Sequence, residues 1–307
     1  MSDFQFREGW TFRPDDILES HARMQDAGLL ISGAGDSDGP SFRGEWKRAV
    51  SEGRTAFLAC TVEPDRPSAY RQSTGVCTSM IYRTLQDCLN WERAKYAGLS
   101  RAVRIAFEPI FAGSRVIIGR GQLGSSDGSV GAWIAEWLAR YGCVERGTYQ
   151  GINLNQPDES LAQHWGLPRI GPPDVFQAIG RRHRFKGHKC ESVEEVADAM
   201  ASGTFGGICR SRYSHSIDSD GFARFDSQGG HHTCLRGCFL DPRDRRVFVE
   251  QQTHGSGIPD PHPVAHTHEG PIELSDGAYL VREDDIHRYI AAGEIWVFQV
   301  RDGEEFR

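Results

Sequence analysis

The chain has 307 residues with 38% hydrophobic and 10% aromatic content, enough to bury a substantial core in one large domain or two lobes. A net charge of -7, from 42 acidic and 35 basic residues well mixed along the chain, leaves no basic field to attract nucleic acid. Met1-Ser2-Asp3-Phe4-Gln5-Phe6-Arg7 lacks an apolar signal core and no run of about 18 apolar residues occurs, so no signal peptide or membrane span is expected and the protein is read as soluble.

Residues 1–60 read as an N-terminal extension or arm. Within it, Asp15 to Gln25 behind Pro14 predicts a short helix, Gly33 to Pro40 a loop, and Ala56 to Val62 a strand. The turn-rich stretch Arg71-Gln72-Ser73-Thr74-Gly75-Val76 then leads to Cys77. Small or apolar residues at Cys77, Ile81, Thr84, Leu85 and Cys88 predict one buried face of a helix running to about Tyr96 and closing near Gly98. Cys77 thus falls in the first turn, where unpaired N–H groups and the positive end of the helix dipole favour a thiolate. The eight cysteines are read as reduced thiols, because a chain of this size needs no disulfide staples.

Arg115-Val-Ile-Ile is strand-like and is followed by Gly119-x-Gly121-x-x-Gly124, the spacing of a dinucleotide-binding turn. The next helix begins only at about Ala132, and no acid-tipped second strand follows it, so no cofactor is expected. Short helices are predicted at Glu159–Trp165 and, behind the capping box Ser192-Val-Glu-Glu195, at Val193–Ala201. Strands are predicted at 206–211, 231–237, 246–250, 277–281 and 294–300, with one helix at 283–292. This is an α+β pattern, helical in the first half and antiparallel β in the second. Along a regular strand Cys234 and Cys238 share a face ~13 Å apart, a structural pair and not a disulfide. His254, His262, His266 and His268 crowd a proline-rich loop, but Pro263 interrupts the helical geometry that metalloproteases use, so no metal is expected.

A reactive cysteine needs a base and a group to orient it. His231 follows Gly229-Gly230 at the head of a predicted strand, and Gln251-Gln252 closes the next one. Of the adjacent pair His231 and His232, only one can face a given side of a strand. In these features the chain resembles the papain-like (clan CA, C1-like) cysteine peptidases, and among them the divergent branch from bacteriophages and bacteria. The resemblance covers roughly residues 65 to 300. It implies a two-lobed fold, with an extension 1–60, a helical lobe 61–185 carrying Cys77, a β-rich lobe 186–307 carrying His231, and a cleft between the lobes. It also implies Cys77 as nucleophile, His231 as base, Gln252 as the orienting amide and Gln72 as the oxyanion donor, acting on peptide or protein substrates.

Three departures stand out. Gln72 lies five residues before Cys77, where the family pattern has six, Gln252 is one methylene longer than the family's asparagine, and His254 stands where the family has a tryptophan. The alternative expectation is therefore a catalytically degenerate papain fold, serving as a structural or virion assembly protein that docks through residues 1–60. Location in a bacterial cytoplasm or a phage particle goes with these readings.

Overall fold

The computed structural model describes residues 11–31, 41–58, 104–252, 264–274 and 277–300. The predicted helix from Cys77 and the Gln72 turn lie outside them. The architecture is α+β, as expected.

The first helix, α1 (Pro14–Asp26), starts on a proline whose fixed φ suits a first turn and carries Asp15 and Asp16 where the helix dipole favours acid. It buries Ile17, Ser20 and Met24 along one face. Its Arg23 reaches the buried Glu136 of α4 (Gly131–Tyr141) through Nε at 3.0 Å and Nη2 at 2.7 Å, and Arg140 Nε adds a bond at 2.9 Å. Past α1 the chain runs beside β6 (Phe185–Lys189), the Ile31 N–H donating to the Gly187 carbonyl at 3.0 Å, and so covers an edge of the sheet. Next, α2 (Glu45–Ser51) is capped from outside. The Asp198 carboxylate of α7 (Val193–Ala201) accepts from the Gly44 and Trp46 N–H groups at 2.8 and 2.9 Å. The strand β1 (Ala56–Leu58) then joins the main sheet. In their described part, residues expected to form an extension thus supply Ile17, Met24, Leu29, Ile31 and Phe42 to the main core and a strand to the sheet.

Among the described residues that sheet has seven strands in the order β12-β9-β8-β7-β13-β6, with β1 on β8, and every strand pairing is antiparallel. Its centre is the 18-residue β8 (Ala223–Leu240), between β7 (Phe205–Ile217) and β9 (Arg246–Gln251). The remaining members are β12 (Ala278–Arg282) and β13 (Glu294–Val300), with α8 (Glu283–Ala292) between them. One face, with Leu235, Cys238, Phe248, Tyr279 and Val281, belongs to the main core with α4, α7 and α8. The other face, with Phe239, Val247, Val249 and Leu280, packs with residues of the hairpin β10 (Val264–Thr267) and β11 (Gly270–Glu273).

Two expectations are corrected. In β8 the register steps from Leu235↔Glu250 to Gly237↔Val249, leaving Arg236 as a bulge. Cys234 therefore pairs with Gln251 and Cys238 with Phe248, and alternation along β9 sends the two thiols to opposite faces. The strand expected at Arg115–Ile118 is helical. Here α3 (Glu108–Gly113) runs into a π-helical turn, Ser114–Ile118, closed by the Gly119 N–H on the Ser114 carbonyl at 2.8 Å. Gly113 and Gly119 lie against the indoles of Trp137 and Trp133, where any Cβ would collide. Close packing on α4 thus overrides the strand propensity of two isoleucines.

Candidate active site

His231 is 3% exposed and lies in β8 opposite Arg210 of β7. Alternation puts His231, Thr233 and Leu235 on the main-core face. His232 points the other way, its ring over Gly207, where a side chain would strike the imidazole. The glycine at 207 thereby leaves His231 as the histidine of the inner face.

Gln252 is 1% exposed and follows the last residue of β9, its backbone N–H donating to the Gly277 carbonyl at 3.0 Å. Continuing the register Cys234↔Gln251 by one residue sets Gln252 level with Thr233. Gln252 is then on the His231 face and one diagonal step away, a separation that long side chains span. Gln251 faces the opposite side and accepts from Arg236 Nη1 at 2.6 Å. The structure buries both His231 and Gln252, and the β8–β9 register continued one residue past β9 would set them on one face, while Cys77 and Gln72 lie outside the described residues.

The hairpin joining the arms that carry these residues is tied by Asp241. Its Oδ1 accepts from the Arg243 and Arg245 N–H groups, both at 2.9 Å, and its Oδ2 from Arg245 Nε at 2.7 Å. Burial pushes the Asp241 carboxyl up, but Arg245 and the two backbone donors outweigh it and hold the group below the ordinary aspartate value.

Cys143, Cys190, Cys234 and Cys238 are buried and not in disulfides. Burial pushes the Cys190 and Cys238 thiols well up, the opposite of an activated nucleophile. The glycine-rich segment after Ile118 folds around Arg115. Arg115, 3% exposed, donates through Nη2 to the Gly124 and Ser126 carbonyls at 3.0 and 2.7 Å, through Nε to Gly166 at 3.1 Å, and through Nη1 to Gly128. Of the histidine-rich loop, His254 and His262 lie outside the described residues, His266 is exposed in β10, and His268 Nε2 is 2.9 Å from Asp244 Oδ1. A cavity of about 460 Å³ lies by Phe222, Phe239, Val247 and Leu280, at the far end of the hairpin from His231 and on the opposite face.

One cluster escaped the sequence reading. His188, Cys190 and Glu195 bring a nitrogen, a sulfur and a carboxylate oxygen within 4.8 Å of one another. The signal was present as His-x-Cys ahead of the capping box, and was spent entirely on the helix start.

No protein-family profile matches the chain, and no curated protein matches it. Similarity is found among solved structures. Xylellain, a cysteine protease from Xylella fastidiosa, superposes with a TM-score of 0.53 at 14% identity, over 98% of this chain and 95% of that one. The clostridial cysteine protease Cwp84 after propeptide cleavage gives 0.52 at 13% identity, over 81% of this chain and 59% of that one. At these identities the likeness speaks to the fold, and the chain has the α+β fold of papain-like cysteine proteases.

Proposed function

We propose that the protein is a cysteine peptidase or amidase acting through Cys77 and His231. What supports this reading is the burial of His231 in β8 and of Gln252 just past β9, on strands paired with each other, within a papain-like fold. In the proposed reaction the Cys77 thiolate, paired with protonated His231, attacks a peptide or amide carbonyl. The Gln72 side chain and the Cys77 N–H hold the oxyanion. His231 gives its proton to the leaving amine, then takes one from water as the acyl-enzyme is hydrolysed. Gln252 accepts from the second ring N–H of His231 and fixes the tautomer. The substrate is a peptide or protein, and the chemistry needs no cofactor.

The test is hydrolysis of denatured protein and peptide substrates, together with labelling by an electrophilic thiol probe. Both activities are expected in the wild type, with Cys77→Ala abolishing them and Cys88→Ala preserving them. A folded wild-type chain that neither hydrolyses nor labels at Cys77 sinks the reading and leaves a papain fold without its chemistry, serving assembly.

A further inference from the structure

We propose that His188, Cys190 and Glu195 bind one divalent transition-metal ion of the zinc class where β6 hands over to α7. Residues 188 and 190 are two apart on an extended segment, so their side chains share a face. Pairing with β13 continues through that segment, since the Cys190 N–H donates to the Ile295 carbonyl at 2.9 Å. Ser192 then caps α7, accepting from the Glu195 N–H at 3.2 Å, and this reversal carries Glu195 back over the strand end. Its Oε2 stands 3.2 Å from His188 Nε2 and accepts from the Glu191 N–H at 2.8 Å.

The result is one imidazole, one thiol and one carboxylate within 4.8 Å, on rigid elements. Zinc takes these three donor types at about 2.0–2.3 Å, which sets tetrahedral donors roughly 3.4–3.8 Å apart. Three protein donors leave one position for water, and the site has a wet side to supply it. The His188 and Glu195 side chains are 18% and 16% exposed, whereas Cys190 is 1% exposed and forms the dry floor.

The capping box explains Glu195 and Ser192, but not why a thiol and an imidazole converge on the same carboxylate oxygen. Metal binding accounts for all three. Cys190 loses its proton to solvent and binds as thiolate, His188 offers the Nε2 lone pair with its hydrogen on Nδ1, and bonds to the ion replace the His188–Glu195 contact. The ion would lie beneath the segment leading into α2, where the Phe42 ring stands 5.6 Å from that of His188 and Arg43 comes within 3.9 Å of Glu195.

The test uses the full chain carrying Cys77→Ala, so that the proposed nucleophile adds no signal. Titration with Co(II) is expected to give a thiolate-to-cobalt charge-transfer band that saturates at one equivalent and is displaced by Zn(II). The band is expected to vanish in Cys190→Ala and in His188→Gln, each judged folded by circular dichroism. Zn(II) is expected to raise the melting temperature of the parent and not of His188→Gln. Should Cys190→Ala fail to fold, the partly exposed His188→Gln decides. No thiolate band at one equivalent, or a band that survives either substitution, overturns the site.

Discussion

Arg115 and His231 are each 3% exposed, and each sits beside a glycine-bounded stretch that reads in the sequence as chemistry. Their surroundings differ in kind. The Arg115 guanidinium is spent on four backbone carbonyls, three within residues 119–128 and one at Gly166, and its burial works against its charge, with Asp127 opposing only in part. His231 shares its strand face with the amide of Gln252, in a register tied by the Asp241 hairpin. A buried polar side chain whose donors all end on backbone carbonyls is a structural device. One held on a strand, with an amide beside it, is what the proposed reaction requires.

The largest effect that sharpens this contrast is expected at Arg115. Arg115→Met removes the donors of four carbonyls and should cost about 3–5 kcal/mol by chemical denaturation. At temperatures where the variant stays folded, thiol reactivity at Cys77 should be unchanged. Altered reactivity without lost stability would reverse the roles assigned to the two regions.

A smaller effect is expected at Gln252. An amide that holds a protonated imidazole contributes about 1.5–3 kcal/mol, so Gln252→Ala should lower kcat/KM roughly 10- to 150-fold, while Gln252→Asn should retain most of it. Equal loss in both would show that the side chain packs and does not orient.

The smallest is at Asp241, where Asp241→Ala should destabilise by about 1–2 kcal/mol. Because its folded pKa is depressed, its contribution is present above the unfolded value of 3.8 and lost as pH falls through the folded one. The stability gap between wild type and Asp241→Ala, followed by melting temperature against pH, should therefore narrow on acidification. A gap independent of pH would remove the carboxylate from the account.

Much of the fold was legible because local signals and packing agree. Helix α7 begins where Ser192 caps and Glu195 answers, α5 (Glu159–Trp165) begins after the Asp158 cap, and the limits of α8 and β13 match the pattern read from the sequence. The α3 region was not legible, because Val116, Ile117 and Ile118 read as a strand until two tryptophans of α4 are brought against Gly113 and Gly119. Nor does Cys234-Leu-Arg-Gly-Cys238 declare its bulge, although an interior glycine is a hint, and Gly237 sits where the β1 backbone comes close. At the candidate site, His231 and Gln252 were readable from strand ends. Their common face needed the β8–β9 register, which no single strand encodes.

The central claim is that His231 activates Cys77, and the most direct measurement is the rate of Cys77 alkylation against pH, with the modified cysteine located by peptide mapping. In the wild type, reactivity is expected to persist well below the ordinary thiol pKa of about 8.5, as an imidazolium-paired thiolate requires. In His231→Ala it should fall back to the ordinary thiol profile. Superimposable profiles for the two proteins would contradict the account.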